Sequence, residues 1–344
     1  MTAGSDRPST MKAVRSVVAG GPDSLVYETI AVPTPSGGEI LIAVEACGVN
    51  FPDSLLIQDL YQLKAPRPFT PGSEVCGVVA EVGADVTAFK VGDRVVGRCP
   101  WGGMAEYVCI EASRCMQIDP SIPADEAATF LFVYSTSYYA LHNRASLAPG
   151  ETVLVLGAGG GVGAAAVELA KVMGAHPFAA ASSQEKVDLA LRLGAADGLV
   201  YERELTKDNA RGLSAAFKSM VGAKGVDVVF DPVGGLYSEA ALRALNPGGR
   251  HLVVGFTAGI PSMPLNLALL KSCQIVGVDW RAFNLREPEL SACNARELLA
   301  LYGAGRVRPT VSRRFSLRDG AEAIRLLSSR SIVGKVVVVN DEPR

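Results

Sequence analysis

Residues 153–171 read VLVLGAGGGVGAAAVELAK, and the fold turns on them. An apolar strand, residues 153–156, runs into glycines at 157, 159, 160, 161 and 163 and then into an alanine-rich stretch of helical character. A strand that ends in glycines and restarts as a helix has three uses for residues without a Cβ. They allow a tight turn, close approach of the backbone to a pyrophosphate, and close packing of helix on strand. The helix start then offers N–H groups and the positive end of its dipole to phosphate. A glycine-rich turn can be no more than a turn. Here it follows a strand, opens a helix and continues into further strand–helix units, which points to a dinucleotide held on the backbone of Gly159, Gly160, Gly161, Val162 and Gly163.

Downstream, HPFAAAS (176–182), KVDLALRLGA (186–195), GVDVVFD (225–231), LYSEAALRALN (236–246) and HLVVGF (251–256) alternate apolar strands with helical stretches. That alternation predicts a doubly wound parallel sheet with helices on both faces. Upstream, MKAVRSVVAGG (11–21), GEILIAVEACGV (38–49), GSEVCGVVAEVG (72–83) and VGDRVVGR (91–98) are short strands broken by glycine turns, the pattern of a β-barrel. Residues 125–145 read as helical, as do stretches near 288–302 and 319–328, and GKVVVV (334–339) suits a strand returning to the first domain. At 344 residues, two domains sharing a cleft are expected.

The nucleotide is chosen about twenty residues beyond the glycines, where an NAD-binding fold places an acid on the ribose 2′-hydroxyl. Here Ala181 stands at that place, followed by Ser182, Ser183 and Lys186. Small hydroxyls and a cation suit a 2′-phosphate, and so NADPH. The alternative is that Ser182 caps the next helix and Lys186 is a solvated surface charge beside Glu185.

Composition narrows the partner. Thirty-three basic and 35 acidic residues leave a net charge of −2 with no basic block, so nothing marks a nucleic-acid or anionic-lipid surface, and a small molecule is expected. Hydrophobic residues make up 49% of the chain, but the uncharged runs 252–270 and 127–143 read as buried elements rather than membrane spans. Residues 1–10 read as a short, polar, disordered leader with no export signal. Seven cysteines without a Cys-x-x-Cys pair fit reduced thiols in the cytoplasm.

The segments 47–79 (CGVNFPDSLLIQDLYQLKAPRPFTPGSEVCGVV), VGDRVVG, the glycine motif, GVDVVFDPVGG (225–235) and VGKVVVV (333–339) together resemble the medium-chain dehydrogenase/reductase superfamily. Within it, the chain is similar to the quinone oxidoreductase (zeta-crystallin-like) branch. The resemblance implies an α/β chain with a GroES-like β-barrel substrate domain, residues 1–132 and 284–344, around a Rossmann NADPH-binding domain, residues 133–283. It also implies dimers or tetramers that pair through the edge of the Rossmann sheet near residues 273–278, with a homodimer expected here. In the zinc-dependent branch a Cys and a His hold the metal, and here those places carry Asn50 and Ser73, so no metal is expected. The three histidines, His142, His176 and His251, read as isolated packing or surface residues.

By the same resemblance, Asn50 and Asp53 line the cleft beside the nicotinamide, and Tyr61 faces the substrate, where it could also be a loop aromatic packed on Pro66 and Pro68. Thr136 lies near the nicotinamide amide, Tyr201 against the adenosine end, the Gly255–Phe256 backbone beside the cofactor, and Trp280 at the nicotinamide pocket. Asp231 reads equally as a turn former with Pro232 or as a residue of the ligand-binding edge. The expected reaction is hydride transfer from NADPH to a quinone or similar enone-type carbonyl. An enoyl reductase acting on a thioester or ketone stands second, favoured if Lys64, Arg67 and Lys90 form a basic entrance. An NADPH-binding module without turnover is the reading from another class.

Overall fold

The computed structural model describes residues 7–222 and 224–340. Along the chain, β1 (Thr10–Ser16) and β2 (Leu25–Ala31) precede β3 (Glu39–Val49), α1 (Phe51–Leu56), β4 (Glu74–Val82), β5 (Arg94–Arg98), β6 (Tyr107–Glu111), β7 (Cys115–Gln117) and α2 (Ala124–Ala127). Helix α3 (Leu131–Tyr138) continues as a π-helical segment, Tyr139–Arg144, and leads into β8 (Thr152–Leu156), α4 (Gly161–Val172), β9 (His176–Ala181), α5 (Gln184–Leu193), β10 (Asp197–Val200) and α6 (Lys207–Val221). Then come β11 (Val226–Asp231), α7 (Gly235–Leu242), β12 (Leu245–Val253), α8 (Leu265–Lys271), β13 (Gln274–Gly277), α9 (Trp280–Arg286), α10 (Pro288–Gly303), β14 (Val311–Ser316), α11 (Gly320–Ser328) and β15 (Lys335–Val339).

Two compact units result, Met1–Phe132 with Pro309–Arg344, and Val133–Arg308. The return to the first unit lies at 308/309 rather than 283/284. Helix α10 stays with the second unit because Asn294 Nδ2 donates to Asn143 Oδ1 at 2.9 Å and Tyr138 Oη donates to Glu297 at 2.5 Å.

In the first unit the strands run β14-β15-β3-β4-β5-β7, with β6 also paired to β3. Alternate residues Ile40, Ile42 and Val44 of β3 join Val75, Val79, Val95, Ile110, Val336 and Val338 in one core, as the two-residue period of a strand requires. Leu41 points the other way and is still buried, because Met11, Ala13 and Tyr107 form a second apolar cluster on that face. The β1–β2 ribbon is antiparallel from Thr10↔Ala31 to Ser16↔Leu25. The polar leader expected at 1–10 is therefore structured from Arg7, whose guanidinium donates to Pro33 O at 3.1 Å, onward; its residues 1–6 lie outside the described ones.

The second unit is a parallel sheet in the order β10-β9-β8-β11-β12-β13. The order reverses between β8 and β11, the switch point beside which ligands bind in open α/β sheets. Strand cores are apolar throughout: Val153, Leu154, Val155, Leu156, Val228, Val229 and Phe230 are all 0% exposed, as a sheet covered on both faces demands. The run 252–270 is not a buried element throughout. Its second half carries Leu265, Leu269 and Leu270 on α8, exposed by 70%, 79% and 74%, in the connection between β12 and β13. Among the described residues no helix is long and apolar enough to cross a membrane. All seven cysteines are free thiols.

Candidate functional site

Strand β8 ends at Leu156, and Gly157 takes φ +61°, a left-handed conformation that turns the chain toward α4. A Cβ at Gly163 would come within 2.2 Å of Gly157 O, so the helix lies against the turn only because that residue is glycine. At Gly160 the reason is different. Its φ of −90° suits any residue, and a Cβ would meet nothing nearer than Gly157 O at 3.5 Å. The fold leaves this space open beside the half-exposed backbone of Gly160, Gly161 and Val162. The first helical bond runs from Ala164 N to Gly160 O at 2.8 Å, leaving the preceding N–H groups of the first turn without intrahelical acceptors. An open backbone cradle with free donors at a helix N-terminus fits a pyrophosphate.

The Gly159 backbone is crossed by the stem of Lys186, whose Cβ would lie 2.4 Å from a Cβ at Gly159. Lys186 is 8% exposed, and its ammonium donates to Ser182 Oγ at 3.3 Å. Helix α5 is capped by Ser183, with no side-chain cap hydrogen bond. Ser182 is therefore not the helix cap and Lys186 is not a solvated charge. Burial, and next the nearby Arg203 guanidinium, push the Lys186 ammonium below its ordinary pKa, with Glu185 opposing. Ala181 is fully buried at the end of β9, so no acid faces the ribose position. Tyr201 is also buried; its N–H donates to Ala181 O at 2.9 Å and its ring packs on Tyr237 at 4.8 Å, so it is largely part of the core.

On the other side of the switch point, Asp231 ends β11. Its Oδ1 accepts the N–H groups of Val233 and Gly234, both at 2.9 Å, as a turn former would. Its Oδ2 lies 3.0 Å from Nε2 of His251, so His251 is a buried partner and not an isolated residue. The N–H of Gly255 donates to Asp231 O at 3.2 Å, while Phe256 is 44% exposed in the turn after β12. Thr136 is half-buried on α3, beside Ser137, whose hydroxyl donates to Val162 O at 2.8 Å. Trp280 is half-buried at the start of α9, beyond the sheet's last strand. The glycine turn, Ser182, Ser183 and Lys186 thus form one group, Gly255 and Phe256 a second next to the turn after β11, and Thr136 lies one residue before Ser137, which bonds Val162.

In the first unit, Asn50 caps α1 and its N–H donates to Asp53 Oδ2 at 2.7 Å. Lys335, from β15, donates to Asn50 Oδ1 at 2.6 Å and to Val49 O at 3.0 Å. Asn50 Nδ2 donates to Glu74 Oε2 at 3.4 Å, and Glu74 Oε1 accepts Phe132 N–H at 2.8 Å. Gly72 N–H completes Asp53 at 3.2 Å. Every member is nearly inaccessible, with Asn50 at 3%, Asp53 at 1%, Glu74 at 0% and Lys335 at 5% exposure. Burial pushes the Glu74 carboxyl up to about 7 and that of Asp53 to about 6, despite Lys335 and the donated hydrogen bonds. Burial likewise lowers the Lys335 ammonium. This network ties together β3, α1, β4 and β15. Asn50 and Asp53, expected to line a cleft, are engaged inside this network. The sequence reading missed Glu74 and Lys335; a single charge set at the end of an apolar strand run, as in SEVCGVV and GKVVVV, is the signal that marks them.

Tyr61 is half-buried and packs against the core of the first unit. Lys64 and Arg67 are both committed to Asp59, Lys64 to its carbonyl and Arg67 to its carboxylate at 2.8 Å. The donors at the zinc positions do not fit that metal. Asn50 already accepts an ammonium, Ser73 offers only a neutral hydroxyl, and among the described residues no cluster of three His, Cys, Asp or Glu could hold an ion.

Residues 161–295 match the zinc-binding dehydrogenase family and residues 36–120 the alcohol dehydrogenase GroES-like domain. Quinone oxidoreductase-like protein 2 of Bos taurus is 37% identical over 316 residues, 91% of this chain and 88% of that protein. A mycobacterial protein solved in complex with NADPH superposes with a TM-score of 0.88 at 31% identity, covering 96% of this chain and 99% of its own. Escherichia coli quinone oxidoreductase, also solved with NADPH, gives 0.85 at 27% identity, covering 95% and 99%. Similarity of this extent, together with the parallel sheet and its glycine turn, shows that the chain belongs to the quinone oxidoreductase-like family of medium-chain dehydrogenase/reductases, which are oxidoreductases.

Proposed function

We propose that the chain is a metal-independent reductase that takes a hydride from NADPH and delivers it to a quinone or a similarly conjugated carbonyl. The observation that carries this reading is the end of β9, where a buried Ala181 replaces the ribose-binding acid and the Lys186 ammonium is held 3.3 Å from Ser182 Oγ. The two relatives solved with NADPH support it. NADPH, when bound, supplies the hydride.

The protein's part is placement. The backbone of Gly159, Gly160, Gly161, Val162 and Gly163 holds the pyrophosphate, and Ser182, Ser183 and Lys186 hold the 2′-phosphate. Tyr201 backs the adenosine end, and Thr136, Gly255, Phe256 and Trp280 flank the nicotinamide half. Asn50 and Asp53 position the start of α1, and Tyr61 donates a hydrogen bond to the oxyanion that develops on the substrate. A conjugated carbonyl is electrophilic enough for alignment to supply most of the acceleration. The enzyme works as a homodimer in the cytoplasm. The unpaired edge of β13 beside Leu265, Leu269 and Leu270, and seven free thiols, support this.

The test is loss of reduced-nicotinamide absorbance with NADPH and with NADH against quinones, enones and enoyl thioesters, with and without a chelator. NADPH-selective turnover of a quinone or enone, unaffected by the chelator, is the expected result. Turnover confined to thioesters would make the chain an enoyl reductase, binding without turnover a nucleotide-binding module, and preference for NADH would overturn the reading of β9.

A further inference from the structure

Strands β11 and β12 end in a buried polar group to which the proposed reaction assigns no role. Asp231 is 2% exposed, His251 1% and Ser238 0%. In the parallel register Asp231 lies opposite Val253 and Val229 opposite His251, so His251 and Asp231 project diagonally from one face of the sheet. Asp231 Oδ2 faces His251 Nε2 at 3.0 Å and also accepts the Ser238 hydroxyl. His251 Nδ1 is buried with no hydrogen-bond partner, so Nε2 is the nitrogen placed to donate. Burial works against the charge on Asp231, but His251, Ser238 and the Gly234 N–H outweigh it and hold the carboxyl below its usual range.

A buried anion with this many donors is an anchor, and what it anchors is a pair of turns. Through Oδ1 it fixes residues 232–235. Through its backbone carbonyl it takes the N–H groups of Val254 and Gly255, at 2.9 and 3.2 Å. The two turns are then laced directly, Ala258 N–H to Val233 O and Gly235 N–H to Gly259 O, both at 2.7 Å. Side chains are excluded between them, since a Cβ at Gly234 would fall 2.4 Å from Gly259 O. The first turn also abuts the cofactor loop, with Val233 Cγ2 only 3.2 Å from where a Cβ on Gly157 would sit.

A dinucleotide crosses the sheet at its switch point. With the adenosine end at β9 and the pyrophosphate at the start of α4, the remaining half extends over the ends of β11 and β12. We propose that His251 is a positioning residue for the nicotinamide half of the cofactor: by anchoring Asp231 Oδ2 it sets the turns at 232–235 and 254–259 against which that half rests, and leaves the adenosine end alone. The inference rests on the NADPH reading above.

The experiment compares binding of NADPH with that of 2′,5′-ADP, which carries only the phosphorylated adenosine end, in the wild type and in His251→Leu, His251→Gln and Ser238→Ala. His251→Leu should bind NADPH about tenfold more weakly, the size of one charge-assisted hydrogen bond, with 2′,5′-ADP unchanged. His251→Gln, whose amide N–H can reach the same oxygen, should restore most of the loss. Ser238→Ala should move NADPH the same way by less, and it decides the matter if His251→Leu does not fold. Unchanged NADPH binding in the leucine or alanine variant, or equal losses for both ligands, overturns the proposal. A wild type that binds neither ligand overturns the NADPH reading instead.

Discussion

Replacing Lys186 with methionine keeps the stem that lies over Gly159 and removes only the ammonium. Lys186 is 8% exposed, its ammonium donates to Ser182 Oγ at 3.3 Å, and burial, then Arg203, push it below its ordinary pKa against the opposing Glu185. A phosphate dianion beside the ammonium would add a charge-assisted hydrogen bond. A hydrogen bond between charged partners contributes about 1.5–3 kcal/mol, so Lys186→Met should weaken NADPH about 10- to 150-fold. NADH, which lacks the phosphate, should bind the variant as it binds the wild type. Calorimetric titration with both nucleotides measures this directly, and the ratio of kcat/KM values should fall by the same factor. Equal losses for the two nucleotides, or no loss for NADPH, would refute the assignment of the 2′-phosphate to the end of β9.

Three further outcomes follow from the same geometry. Ala181→Asp should cut the NADPH:NADH ratio of kcat/KM by about tenfold or more, because it places an acid against the phosphate, and an unchanged ratio would contradict the reading. Gly163→Ala should destabilise the fold by about 1–3 kcal/mol or more, since its Cβ meets Gly157 O at 2.2 Å, whereas Gly160→Ala should melt like the wild type and bind NADPH several-fold more weakly; identical behaviour of the two would refute the distinction. Glu74 titrates at about 7 in the folded protein against an ordinary 4.5, so the native state keeps a proton that the unfolded chain has released, and stability falls as pH rises between these values. Glu74→Gln should therefore gain on the wild type in urea denaturation across that window, and a difference independent of pH would be the refuting result.

The cofactor half of the molecule was legible because its chemistry is local. Five glycines at a strand-to-helix turn specify a backbone conformation, and Ser182, Ser183 and Lys186 follow the end of β9 within about one turn of helix. The helices α6 and α8 were harder. In α6, polar residues dominate, and α8 sits in an apolar run that resembles buried sequence until its exposed leucines are seen between β12 and β13. Residues that meet only through long-range pairing were invisible. Lys335 reaches Asn50 because β15 pairs with β3, and His251 reaches Asp231 because β12 pairs with β11; each looks solitary in the sequence. The same limit applies to Asn50 and Asp53, which the family resemblance set along the cleft and whose buried partners come from β4 and β15.

The pairing of β15 with β3 sets an order of events during synthesis. Lys335 and its acceptor Val49 are 286 residues apart, and the whole second unit is translated between them. At about 5–20 residues per second, a ribosome needs about 15–60 s to cover that interval. Throughout it the edge of β3 awaits a strand, and Glu74 and Asp53 await the Lys335 ammonium that offsets their burial. The second unit has a continuous sequence and can close first. The nascent first unit is thus the stage at which a chaperone would be needed, and a chain truncated before Lys335 would retain a sound nucleotide fold beside an unfinished barrel.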